Sequence, residues 1–271
     1  MIERHQLSKA RSCRCVGLSR GALYRSLVDW AQRDAPVVNA LNGLLEEFPR
    51  SGFWKYAGIL SRRDYPWNHK RIYRVYCDLG LNQPRRKKRR LPEREPLPLL
   101  VPEKPNQVWS ADFMSDSLYR GARFRLFNII DDYNRESLAI EIDTSLRATR
   151  LVRVFERLKE TRGLPDILRV DNGPEFLGQV FVDWCKANGI FIDYIEPGKP
   201  NQNAFIERFN RSLRREALDL YLFRSLAQVR QIIEVWRKQY NEQRPHDSLG
   251  GLPPSVYATE NQKNSSLELS T

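Results

Sequence analysis

Residues 107–143 read QVWSADFMSDSLYRGARFRLFNIIDDYNRESLAIEID. Three runs inside this stretch, 107–113, 123–131 and 137–143, are short and rich in aromatic and branched apolar side chains, and Asn134-Arg135 marks a turn between the last two. Runs of that length separated by turn residues predict antiparallel strands. Beyond them the pattern changes period. Residues 147–162 place Leu151, Val154, Phe155 and Leu158 on one helical face. A short apolar strand at 167–170 (ILRV) runs into Asp171, a helix is expected at 177–188, and a strand at 190–195 (IFIDYI). The loop PGKPNQN then leads to a long helix beginning near residue 201. Three antiparallel strands followed by helix-strand-helix-strand-helix predict a mixed α/β sheet flanked by helices.

The chain upstream is of another kind. Residues 1–83 read as helical and basic. Ser8 is expected to cap a short helix through Val16, and Ser19 a second helix from Arg20 to about Trp30, with the break at Gly17-Leu18. Helix, Gly-containing turn and basic helix form a helix-turn-helix-like pattern, which an ordinary helical hairpin also satisfies. Residues 37–48 have helical apolar spacing. In the helix expected at 67–79, Arg71, Arg74 and Asp78 share one face. Basic side chains beside aromatics suit a phosphate backbone. The aromatic residues Trp67, Tyr73 and Tyr76 also suit a core. Residues 84–105 hold six consecutive cations, Arg85, Arg86, Lys87, Lys88, Arg89 and Arg90, and then five prolines. Such a stretch can neither pack nor continue a helix, so it reads as a linker, either a solvated tether or one that tracks phosphates. A core at 106–258 and a polar, disordered tail at 259–271 complete the expected organisation.

Composition sets bounds. The 271 residues carry 45 Lys+Arg against 33 Asp+Glu, a net charge of +12, and 41% are hydrophobic. Residues 1–100 hold 21 cations and 9 acids, while 101–271 hold 24 of each, so the whole excess lies in the first module. A basic module joined to a neutral one points to a polyanion partner. No apolar run approaches the roughly 18 residues of a membrane helix. The start shows no secretory pattern. Four cysteines (Cys13, Cys15, Cys77, Cys185) do not make a disulfide scaffold, and a reduced cytoplasmic compartment is expected. His5, Cys13 and Cys15 lack a fourth partner at zinc spacing.

The chemistry-bearing residues are carboxylates. Asp112 lies in the first strand, Asp171 ends the fourth, and Glu207 sits on the last long helix, with 35 residues between the latter two. On that helix Asn203, Glu207, Asn210, Arg211 and Arg214 share one face, and Ile206, Phe209, Leu213 and Ala217 another. Glu207 therefore points away from the core, toward the sheet end. Two Asp and one Glu there make a hard-oxygen donor set suited to Mg²⁺ or Mn²⁺. Spacing alone does not single out this triad among the acids of the second module. Asp131 and Asp132 are rivals, and Glu175 is a fourth acid expected to face a helix start.

The words VWSADF (108–113), DNGPEF (171–176), PGKPNQNAFIERFNRSLRRE (197–216) and YNEQRPHDSLGG (240–251), in this order, closely resemble the integrase-type catalytic core of bacterial insertion-sequence transposases. More narrowly, the chain resembles the second-frame product of the insertion-sequence-three family, strongly over about 100–258 and moderately over 38–80. The resemblance implies a ribonuclease-H-like fold with Asp112, Asp171 and Glu207 as catalytic metal ligands. It implies two Mg²⁺ ions, replaceable by Mn²⁺, in a transposase that cleaves and transfers strands at insertion-sequence ends. DNA ends and target DNA are the implied partners, in a homodimer or higher synaptic complex near the nucleoid, with the first-frame product as a further partner. Lys199, Asn203, Arg211 and Arg214 are expected either to touch DNA phosphates or to form a solvated face. Arg244 and His246 match the family's C-terminal word, and a packing role is expected for them. The family's coiled coil and main helix-turn-helix are not evident here, which leaves end recognition open. A non-catalytic DNA-binding regulator and a nuclease that nicks without joining are the competing readings.

Overall fold

Backbone pairing sets the architecture. In the computed structural model, residues 7–25, 29–82, 102–196 and 203–268 are described. Strands β1 (Val108–Ser117), β2 (Arg123–Asp131) and β3 (Ser137–Asp143) form an antiparallel meander. Helix α6 (Ala148–Thr161) then crosses over, and β4 (Ile167–Val170) pairs parallel to β1. After α7 (Gln179–Ala187), β5 (Phe191–Tyr194) adds parallel to β4, giving the order β3-β2-β1-β4-β5. A three-strand meander extended by two parallel strands through helical crossovers is the ribonuclease-H-like topology. Two helices follow, α8 (Ala204–Glu216) and α9 (Leu226–Glu242).

Strand alternation sorts the two faces. Trp109, Ala111, Phe127, Ile129, Leu168 and Val170 meet Leu151, Phe155 and Phe181 of α6 and α7. Met114, Leu126, Ile130 and Ile142 meet Ile206, Phe209 and Leu213 of α8, and Ile233, Trp236 and Tyr240 of α9. Asp112, between Ala111 and Phe113, belongs by alternation to the α8 face.

The first module is helical: α1 (Lys9–Cys15), α2 (Arg20–Leu23), α3 (Trp30–Glu47), α4 (Phe53–Arg62) and α5 (His69–Asp78). Val37, Leu41, Tyr56, Ile59, Ile72 and Val75 form its own core. Ser8 and Ser19 cap as expected, each accepting a backbone N–H from three residues on. The helix expected from Arg20 to Trp30 is, however, a single turn. Asp29 starts a new helix, accepting from Gln32 N at 3.1 Å. The basic face of α5 also differs from expectation. Arg71 and Arg74 both bind the buried Asp34 of α3, at 2.9 and 2.6 Å, which fastens α5 to α3. Trp67 and Tyr76 join the core, while Tyr73 is half exposed.

At the other end, α10 (Pro254–Glu268) runs through most of the segment expected to be a disordered tail. No described helix is long and apolar enough to cross a membrane.

Candidate active site

Asp112 pairs in register with Asn128 of β2, both on the α8 side. The β1–β4 register places Ser110 beside Arg169, so two residues on Asp112 lies next to Asp171. This is the carboxyl end of β4, beside the middle of β1, where a crossing connection leaves a crevice. Helix α8 lies over it, with its apolar side buried by Ile206, Phe209 and Leu213, and Glu207 exposed.

A chain of amides holds the first carboxylate. Asn128 Nδ2 donates to Asn210 Oδ1 at 2.7 Å, and Asn210 Nδ2 donates to Asp112 Oδ2 at 2.7 Å. Phe113 N donates to Asp112 Oδ1, also at 2.7 Å. Burial pushes the Asp112 carboxyl up to about 6; the Phe113 N–H opposes the shift, and the negative charges of Asp171 and Glu207 add to it. The three acids thus share one electrostatic site. Asp171 Oδ1 accepts from Gly173 N at 3.0 Å. A Cβ on Gly173 would stand 2.9 Å from that oxygen, so a side chain there would push into the carboxylate the backbone holds.

The other acids have different work. Glu175 precedes the helix that starts at Gln179, so it is not the helix-start carboxylate expected. It pairs instead with Arg125, whose guanidinium lies 4.3 Å from the Phe113 ring centre. Burial pushes Glu175 up, and the Arg125 hydrogen bond and charge together with a backbone hydrogen bond bring it below its ordinary value. Asp131 pairs in register with Trp109, near the start of β1. It accepts from Asn106 N and Tyr133 N, each at 2.9 Å. Asp132 accepts from Ser110 Oγ at 2.8 Å and faces Arg169 at 3.3 Å. Both are fully buried fastenings of the β2 end.

The expected DNA contacts divide. Arg85 to Arg90 and Lys199 lie outside the described residues. Arg211 is exposed. Asn203 is 3% exposed and sits just ahead of α8. Arg214 is tied back to β1, 3.3 Å from Asp116 and donating to Ser115 O at 2.8 Å. Missed from the sequence were Asn128, which only the strand register reveals, and two further α8 arginines, Arg208 and Arg215. Their spacing from Arg211 was the available signal. Arg244 binds Glu216 at 2.8 Å, and His246 packs edge-on to Tyr240 with ring centres 4.8 Å apart.

Among the described residues no group of three His, Cys, Asp or Glu side chains stands as a ready coordination cluster. The donor chemistry nevertheless fits a hard divalent cation, because three mutually repelling carboxylates gain from one.

Residues 102–200 match a family model described as an integrase core domain, and residues 188–254 match a second of the same description. The chain is 38% identical over 262 residues to the insertion element IS407 uncharacterized 31.7 kDa protein of Burkholderia multivorans, covering 96% of this chain and 94% of that one. It is 39% identical over 263 residues to the insertion element IS476 uncharacterized 39.2 kDa protein of Xanthomonas euvesicatoria, covering 95% and 74%. Among solved structures, the magnesium-bound catalytic core domain of HTLV-2 integrase in its trimeric form aligns with a TM-score of 0.48 at 19% identity, over 58% of this chain and 98% of that one. With such identity to insertion-element proteins along almost its whole length, and an integrase core within it, the chain belongs to the insertion-sequence-three family of bacterial transposases.

Proposed function

We propose that this chain cleaves and rejoins DNA strands at insertion-sequence ends, with Asp112, Asp171 and Glu207 holding two Mg²⁺ ions, or Mn²⁺ in their place. The observation that carries the reading is geometric: the β1–β4 register sets Asp112 beside Asp171, and the helix that carries Glu207 reaches Asp112 through Asn210 at 2.7 Å. When bound, the cations supply Lewis-acid stabilisation of the attacking and leaving oxygens.

The chain's own groups do the positioning. Asn210 and the Phe113 N–H fix the two oxygens of Asp112. The Gly173 N–H fixes Asp171. Helix α8 presents Glu207 from above, held by the apolar side it buries. In the first reaction, water attacks a phosphodiester phosphorus, the P–O3′ bond breaks, and a 3′-hydroxyl is released on the element end. In the second, that 3′-hydroxyl attacks a target phosphodiester, a new P–O3′ bond forms, and the target's own 3′-oxygen leaves. Each step exchanges one P–O bond for another, so no covalent enzyme–DNA intermediate is needed. The work takes place on DNA in the bacterial cytoplasm, in a dimer or higher complex that pairs two ends, with the first-frame product as a possible source of end recognition.

The test is a nicking and joining assay on labelled element ends with Mg²⁺, with and without fusion to the upstream frame. Asp112→Asn should lose product by about 10³-fold or more, as removal of a transition-state stabilising group does, while its DNA affinity stays within a few-fold of the parent. Tight binding by the unaltered chain with no product in either form, in Mg²⁺ or Mn²⁺, would favour a regulator over an enzyme.

A further inference from the structure

Strand β1 outruns its parallel neighbour. The register of β1 with β4 stops at Ser110 and Arg169, and β4 itself ends one residue later, whereas β1 continues to Ser117 paired with β2. From Asp112 to Ser117 the overhang measures roughly 17 Å at about 3.4 Å per residue, so the hairpin at 118–122 is held out past Asp112. Its backbone is tied down. Leu118 N donates to Ala122 O at 2.8 Å, and Tyr119 N donates to Phe223 O at 2.7 Å, in the loop between α8 and α9. Phe223 is buried edge-on to Phe124, with ring centres 6.2 Å apart. The hairpin and that loop therefore present one surface. Tyr119, Tyr221 and Leu222 are 71%, 48% and 76% exposed on it. Arg120, Arg123 and Arg224 are exposed beside them, and none is ion-paired among the described residues. Further in, Arg125 and Arg230 are matched by Glu175 and Asp143. The sequence gives the tip no acid of its own, since neither 117–130 nor 220–233 contains Asp or Glu. The flanking Asp116 and Asp219 are taken by Arg214 and Arg50. Unmatched arginines around exposed rings suit a nucleic acid, whose phosphates meet the guanidinium groups while its sugars and bases pack on the rings.

From this we infer that the β1–β2 hairpin tip and the loop at 221–224 form a second DNA-docking surface, separate from the acids and from α8. It holds the duplex that flanks the reacting bond. The inference rests on the DNA-cleaving reading and deepens it, by giving the overhang of β1 a task. At about 3.4 Å of axis per nucleotide, an overhang of roughly 17 Å sets this grip about five base pairs from the bond held at Asp112. The element end and the target are both duplex DNA, so the chemistry of the tip suits either.

The experiment has two readouts on the full-length chain: binding of a fluorescent element-end duplex in EDTA across a salt series, and nicking and joining with Mg²⁺. Each phosphate contact adds about 0.9 to the steepness of log K against log salt. If the element end lies on the tip, R120Q/R123Q/R224Q should reduce that steepness by about 2.7, and Y119A/L222A should weaken binding roughly tenfold at every salt concentration with the slope kept. If the target lies there, both variants should keep element-end binding and nicking and lose joining. Arg153→Gln, which removes an exposed charge from α6, should leave every readout unchanged. All the replaced side chains are exposed, so melting temperatures should match the parent and loss of fold cannot mimic the effect. An unaltered slope together with parental nicking and joining in R120Q/R123Q/R224Q would overturn the surface and leave the tip to an acidic protein. An equal loss per charge in Arg153→Gln would overturn it too. If the unaltered chain bound no duplex at all, the DNA-cleaving reading itself would fall.

Discussion

His246 is buried against the Tyr240 ring. Burial first, then the charges of Arg244 and Lys55, push its imidazole down to about 2. It therefore stays neutral in the folded chain wherever the protein works, which suits a packing group and not a general base. The sign of the linkage follows. Above the unfolded value of 6.5 neither state is protonated and the full stability is present. Below it the unfolded chain takes a proton that the folded chain refuses, so stability falls as pH drops from 6.5 toward 2. By pH 4.5 the loss amounts to about 3 kcal/mol. His246→Gln removes this titration. The difference in unfolding free energy between pH 7.5 and 4.5, measured in urea, should shrink by up to that amount; an identical acid loss in both proteins would contradict the account. At this scale the sequence named the acids, but not their hydrogen-bond partners. Asn210 could be placed beside Glu207 by helical spacing, whereas Asn128 enters only through its register with Asp112. Arg214 was on the expected face too, yet Asp116, far away in sequence, had already claimed it.

Elements were legible where hydrophobic period and length agreed. The strands at 123–131, 137–143 and 167–170 stand at the boundaries their patterns predict. Strand β1 runs four residues further, through Ser115, Asp116 and Ser117. These polar residues pair with Arg125, Phe124 and Arg123, so cross-strand hydrogen bonding extends a strand that composition would have stopped. The reverse happens at α2, where the run after Ser19 makes only one turn. A capped helix this short gains little without an apolar side to bury, and it has no buried residue. Helix α8 is the element on which the site depends. Phe209, 1% exposed, packs edge-on to Trp236 and Tyr240 with ring centres 5.6 and 5.1 Å apart. Phe209→Ala should cost about 3–5 kcal/mol, read as a lower denaturant midpoint at unchanged slope. It should also lower strand cleavage out of proportion to DNA binding, since Glu207 rides on the same helix. A loss below ~1 kcal/mol would mean that α8 is not anchored through this ring.

Over the whole molecule, two unlike modules are fastened at one place. Arg62 of α4 donates to Gln243 O at 2.8 Å and to Gly251 O at 3.1 Å, where α9 ends and the C-terminal word begins. Arg63 reaches the Gln243 side chain at 2.8 Å, and Lys55 reaches Glu216. The charge split along the chain announced a cationic module beside a neutral one, but its placement could not be read there, because the contacts that set it join residues about 180 positions apart. That placement sets the cationic module beside the helix that carries Glu207. The site joins β1, β4 and α8, and its central claim is that Asp112, Asp171 and Glu207 act as one unit. Groups acting as a unit are non-additive when removed. The most direct measurement is therefore the Mg²⁺-dependent nicking rate, on element ends, of Asp112→Asn, Asp171→Asn, Glu207→Gln and the triple variant. Each single change should cost at least about 10³-fold, and the triple no more than the worst single. Near-parental nicking by Glu207→Gln, or by either aspartate variant, would contradict the shared site.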